Sequence, residues 1–180
     1  MKIRQELDII IEKHPHHQSL NKKLLLECEK CPQNNSHYTN IKGTKLFVED
    51  SPTCTVVANW VESILKNKLQ GSNSEPIEYD KSMWFAKYDK GDYTEVHSHE
   101  PYALFSWVYF INCSKGSSPL VFTTSGKRIK AEEGKVVIFP ACVYHDVPPN
   151  KCDGRIVMAG NIHINYVKGS FPHSRYGVSI

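Results

Sequence analysis

No apolar run in this chain is long enough to cross a bilayer, and its opening, "MKIRQELDIIIEKHPHH", carries acids where a secretion signal has a continuous apolar core. The expectation is a cytoplasmic, intracellular protein with no membrane partner. An excess of one charge is missing too: 22 Lys and Arg against 19 Asp and Glu leave a formal charge of +3, and the lysines are scattered rather than clustered beside aromatics. No nucleic-acid partner is indicated. Six cysteines are present without a complete metal or disulfide pattern. Cys28 and Cys31 have the spacing of half a zinc site, but no second CxxC or CxxH completes it. Leu20, Leu24 and Cys28 share a helical stripe, so reduced core cysteines are expected. Internal repeats and low-complexity tracts are absent.

What is there suits a single domain: 180 residues, 40% of them hydrophobic. Residues 1–70 read as a mostly helical support, 80–168 as a β core and 169–180 as a polar C-terminal tail. Residues 3–13 and 18–31 are rich in Leu, Ile, Glu and Lys and predict two short helices, broken by "HPHH", where His14, His16 and His17 are expected to be solvated. Val57, Trp60, Val61, Ile64 and Leu65 recur at helical spacing and predict a third helix packed on a sheet. "QGSNSEP", residues 70–76, reads as a loop. From about residue 82 come "SMWFAKY", "YTEVHSH", "ALFSWVYFIN", "PLVFTT", "KRIKA", "KVVIFPA" and "RIVMAGNIHINYV", β-branched and aromatic runs separated by turn residues. Strands without helical interruption predict a mainly β protein, an antiparallel sandwich or barrel with the N-terminal helices against one sheet.

The chemistry concentrates in "GDYTEVHSHEP", residues 91–101. Strand alternation puts Glu95, His97 and His99 on one face and Glu100 on the other. A further 46 residues on, "GKVVIFPACVYHDVPP" ends a strand near His145, and ten residues later Arg155 opens the last long strand. Three imidazoles, His97, His99 and His145, form a metal set that leaves coordination positions open, unlike a closed structural site. A guanidinium at the start of a buried strand is costly unless it meets a carboxylate in a bidentate fork, which a small dicarboxylate supplies. A lone histidine is most often a surface or core residue; the conjunction of four residues carries the signal.

On "MWFAKYDKGDYTEVHSHEPYALFSWVYFIN", "EEGKVVIFPACVYHDVPP" and "GRIVMAGNI" the chain resembles the Fe(II)- and 2-oxoglutarate-dependent oxygenases. Within them it is most similar to the small bacterial and phage oxygenases related to prolyl 4-hydroxylases. The resemblance implies a double-stranded β-helix, a jelly roll shared with cupins, with helices packed on one sheet. It implies Fe(II) as metal and 2-oxoglutarate as co-substrate. The iron would be held by His97, the residue at 99 and His145, which are also the catalytic residues. Arg155 would pair with the C5 carboxylate, helped by the phenol of Tyr88, Tyr93 or Tyr109. The reaction implied is hydroxylation of a C–H bond of a peptide, peptidyl proline among the options, or of a small molecule, using O2 and releasing succinate and CO2. Trp84, Phe105, Trp107 and Phe139 are candidates for the pocket wall, and a homodimer is compatible with the exposed strand edges.

One departure stands out: the usual triad has Asp or Glu where this chain has His99. His99 ranks first as third ligand, Glu100, which needs a bulge to turn inward, second, and Glu95 third. The spacings G-x5-HxH from Gly91 and G-x5-P-x4-H from Gly134 also fit the cupins, whose further glutamate and glycine fall here on Ala103 or Leu104 and on Cys142. The second reading is therefore a cupin-like metal-binding protein without 2-oxoglutarate chemistry, and Arg155 tilts the choice toward the oxygenases.

Overall fold

The structure, a computed structural model, describes residues 7–31, 40–48, 51–69 and 79–164. In chain order its elements are β1 (Ile10–Lys13), α1 (His17–Lys30), β2 (Ile41–Lys42), β3 (Thr44–Phe47), α2 (Pro52–Leu69), β4 (Tyr79–Tyr88) and β5 (Tyr93–His97). There follow β6 (Phe105–Asn112), β7 (Leu120–Phe122), β8 (Lys127–Ile129), β9 (Lys135–Pro140), β10 (His145–Val147) and β11 (Arg155–Ile164). Two antiparallel sheets result, a major one ordered β1-β9-β6-β11-β4-β3 and a minor one ordered β2-β5-β10-β7-β8.

Strand β6 shows why "FSWVYFIN" is apolar without alternation. Trp107, Tyr109 and Ile111 join a cluster with Leu20 and Leu24 of α1 and Val57, Val61 and Leu65 of α2. Val108 and Phe110 join a second cluster with Leu120, Phe122 and Val147 of the minor sheet. A strand covered on both faces keeps its two-residue period but has no polar side to show. The major sheet is thus the middle layer, with helices on its outside and the minor sheet opposite, the jelly roll with one helix-covered face that was expected. Helix α2 starts where Ser51 Oγ accepts the N–H of Cys54 at 3.2 Å, with Pro52 at the first helical position, where its missing N–H costs nothing.

The N-terminal region differs from expectation. Of the helix predicted over residues 3–13, Ile10–Lys13 is strand β1, paired with β9 from Ile10↔Ile138 to Lys13↔Lys135. Ile9, Ile10 and Ile11 are β-branched, and an open sheet edge outweighs a weak helical preference. The helix predicted over 18–31 is α1, and the third helix is α2, longer at both ends than its apolar stripe. Strands β2, β3 and β10 were not anticipated. The breaker histidines are not all solvated. The His14 ring packs edge-on to Trp60 with centroids 4.8 Å apart, and a Cβ at Gly134 would fall 2.3 Å from the His17 ring. None of the six cysteines forms a disulfide; Cys28 is buried in the helix-side cluster, which pushes its thiol up to about 11. The loop at 70–76 and the tail at 169–180 lie outside the described residues. Among those described, no helix is long and apolar enough to cross a membrane.

Candidate metal centre and ligand cavity

Strands β5 and β10 place two of the three histidines directly across from each other, with His145 opposite His97 in the ladder. The next matched pair is Val147 with Thr94, so two steps along β10 face three along β5. This is a β-bulge at Glu95 and Val96, and it inverts the parity of the strand. Thr94 and His97 therefore both point inward, while Val96 is exposed and Glu95 reaches Lys42 on the surface at 3.4 Å. The expectation that Glu95 shares a face with His97 is corrected, because it assumed an unbroken two-residue period. His99 lies just past the strand, where its N–H donates to the Ala141 carbonyl at 2.9 Å. Glu100 is exposed and outside the cluster, so the inward turn before Pro101 that this option required does not occur.

His97, His99 and His145 come together, with one nitrogen of each within 4.8 Å of the others. His97 Nδ1 lies 2.8 Å from the Glu95 carbonyl oxygen and His145 Nδ1 2.9 Å from that of Val143. A carbonyl only accepts, so each Nδ1 carries the hydrogen and each Nε2 lone pair is free. Phe139 braces His145 edge-on, centroids 4.7 Å apart. Burial holds all three imidazoles below their ordinary pKa, His99 at about 4 and His145 at about 3, with the charge of His97 as second cause for both. They are neutral at neutral pH, the state a metal needs.

The cluster stands at one end of a cavity between the sheets that holds about 470 Å³ of empty space, its mouth included. Arg155 stands at the other end, wholly buried. Its Nε donates to the Ser118 carbonyl at 3.1 Å, and its guanidinium carbon lies 4.5 Å from the Tyr88 ring centroid and 5.6 Å from that of Phe110. Nη1 and Nη2 are buried with no hydrogen-bond partner. A buried guanidinium with its fork unfilled is several kcal/mol out of balance until an anion arrives.

No protein-family model matches the sequence, and no curated protein matches it. Solved structures do match in three dimensions. A prolyl 4-hydroxylase from Pseudomonas putida aligns with a TM-score of 0.70 at 17% identity, over 87% of this chain and 92% of that one. The 2-oxoglutarate complex of a viral collagen prolyl hydroxylase from Paramecium bursaria Chlorella virus 1 aligns at 0.65 and 14%, over 84% and 94%. A 2OG-Fe(II) oxygenase family oxidoreductase from Burkholderia pseudomallei aligns at 0.66 and 12%, over 86% and 84%. The fold is that of the 2OG-Fe(II) oxygenases.

Within the oxygenase fold, the residues present fit both groups that such proteins carry. Three neutral imidazoles with free lone pairs suit a divalent transition metal, and the orphaned fork of Arg155 suits one carboxylate of a dicarboxylate. The tyrosine candidates separate. Tyr88 lines the cavity under the guanidinium, with its hydroxyl 2.7 Å from Thr94 Oγ1. Tyr109 points to the helix-covered side of the major sheet, where its hydroxyl donates to Asn21 Oδ1 of α1 at 2.7 Å; its place beside the co-substrate is corrected. Tyr93 is part-exposed on the outer side of β5, two residues before the bulge. Of the four wall candidates, Trp84 and Phe139 line the cavity on the side facing the minor sheet, Trp107 borders it from the helix-side cluster to which it belongs, and Phe105 packs on that cluster. Sequence reasoning missed Asn150. Buried in the turn after Pro148 and Pro149, it accepts the Ser118 N–H at 2.8 Å and donates to the carbonyls of Tyr88 at 3.2 Å and Cys152 at 2.6 Å. It thereby fixes the strand ends on which Arg155 and Tyr88 sit. An asparagine directly after two prolines was the available signal.

Proposed function

We propose that the protein is an Fe(II)- and 2-oxoglutarate-dependent dioxygenase that hydroxylates a C–H bond, releasing succinate and CO2. The observation that carries this is Arg155, whose two unpartnered Nη groups share one cavity with three imidazoles. When bound, the iron and the oxo acid together supply the oxidising chemistry, dividing O2 between succinate and the product. His97, His99 and His145 hold the metal through their Nε2 or, for His99, whichever nitrogen is unprotonated, and leave its remaining positions open. Arg155 binds the C5 carboxylate, and Tyr88 below it keeps the guanidinium plane in place. Trp84 and Phe139 exclude water from the cavity, which strengthens the Arg155 ion pair. A peptide or a small molecule is the substrate; that two similar structures are named prolyl hydroxylases supports a peptide.

The test is an anaerobic titration of the metal-free protein with Fe(II) and then 2-oxoglutarate, following the visible charge-transfer band of the chelated oxo acid. A saturable band is expected, abolished in His145→Ala and shifted to weaker binding by about 2–5 kcal/mol in Arg155→Ala. Iron uptake without a band favours the second reading, a cupin-like metal-binding protein, for which the imidazole in place of a carboxylate ligand speaks.

A further inference from the structure

A groove that holds about 790 Å³ of empty space, its open mouth included, lies beside the histidine cluster and is lined in part by His97 and His99. Its wall includes Lys45, Phe47 and Trp84, with the amides of Asn40 and Asn161. No acidic residue lines it among the described residues. The Lys45 ammonium sits 4.3 Å from the Trp84 ring centroid and 4.9 Å from that of Phe47, a cation held over two aromatic faces without a carboxylate partner among the described residues. Burial lowers its pKa. Trp84 borders both the groove and the inner cavity, its ring centroid is 6.3 Å from that of His99, and its indole N–H is buried with no acceptor among the described residues. One ring therefore separates the ammonium from the metal cluster. Charge on the cluster points the same way: with an imidazole at position 99 instead of a carboxylate, a divalent metal here would keep one positive charge more, and no acidic residue among the described ones lines the groove to offset it.

Resting on the dioxygenase reading, we infer that the groove is the prime-substrate site and that it selects a substrate carrying a carboxylate, which pairs with Lys45 while the neighbouring C–H bond faces the metal. The carboxylate supplies the negative charge the cluster lacks, and the aromatic brace holds the ammonium in one place before the substrate arrives. A neutral prolyl residue has nothing to give Lys45. An acidic residue of a peptide and a free amino acid both do, and the test separates them.

The test is equilibrium binding by tryptophan fluorescence at low salt, first in the metal-free protein and then anaerobically with Fe(II) and 2-oxoglutarate. The probes are N-acetyl-aspartate amide, its neutral isostere N-acetyl-asparagine amide, N-acetyl-proline amide and free aspartate. The aspartate amide is expected to bind about tenfold or more tighter than the asparagine and proline amides, with the preference eroded by salt. Lys45→Gln should remove the preference, Lys45→Arg should keep most of it, and the 2-oxoglutarate band should be unchanged in both. Tighter binding of free aspartate than of its capped form identifies a free amino acid, the reverse a peptide. Equal affinity for the acidic and neutral probes, no binding of any acidic probe, or a preference that survives Lys45→Gln overturns the inference. Loss of the charge-transfer band in the wild type overturns the dioxygenase reading instead, and the groove's charge preference is measured independently of it.

Discussion

Arg155 shows how far a single residue can be read. In a strand-rich sequence, an arginine ten residues past a histidine is informative because a charge at a buried strand start needs a partner. The structure leaves that partner outside the protein's own atoms: Nη1 and Nη2 are orphaned while Nε alone is satisfied. Stability and binding then oppose each other. Arg155→Met removes a desolvated charge that costs several kcal/mol and gives up one hydrogen bond to Ser118, whose unpaired carbonyl costs about 1–3 kcal/mol. The first effect wins. The metal-free variant is expected to be more stable than the wild type by about 1–4 kcal/mol in urea denaturation while losing 2-oxoglutarate binding; a lower midpoint would mean that Ser118 and the aromatic stack matter more than the charge. The three histidines were equally legible, since HxH at a strand end limits where the rings can go. The tyrosines were not. Alternation places Tyr109 on one side of β6, but nothing local says that helices cover that side and the second sheet the other.

At the scale of the element, the long strands were legible because burial on two faces leaves unmistakable apolar runs, and the short ones were not. Strand β10 is three residues that contain a catalytic candidate, and its pairing with β5 depends on a bulge that no composition announces. That bulge decides which carboxylates stay outside. In β11, Gly160 shows a different constraint. It sits across from Met83 on one side and Trp107 on the other, and a Cβ there would lie 2.5 Å from both the Ser82 carbonyl oxygen and the Trp107 ring. The glycine is required by close approach, because neither a sheet carbonyl nor a buried indole can retreat. Gly160→Ala is expected to destabilise the protein by about 1–3 kcal/mol in urea denaturation, as overpacking does. Wild-type stability in that variant would show that the neighbouring strands and the Trp107 ring have room to shift.

Taken whole, the described part of the molecule is two sheets and a helical layer, and the three histidines are at one end of the gap between the sheets. His97 and His145 belong to the minor sheet. The main chain of His99 is bonded to Ala141, just beyond β9 of the major sheet, and the Ala141 N–H donates to Leu104 at 2.8 Å, whose own N–H reaches Ile162 in β11 at 2.9 Å. An ion joining the three rings therefore joins the sheets. Hydrogen exchange of the amides of His99 and Ala141 is expected to slow on addition of Fe(II) and 2-oxoglutarate, by up to the roughly 2.7 kcal/mol that a ligand at a hundred times its Kd contributes. Unchanged exchange would mean that the end of the sandwich is already closed without metal.

The bonds from His99 through Ala141 to Ile162 have a consequence for the life of the protein in a cell. A metal seated on the three rings would fasten this end as a clasp does, and a chain without it would open there more often. Proteases attack such openings in proportion to how often they occur. The amount of this protein would then follow iron supply even at constant synthesis, with scarcity removing the copies that cannot work.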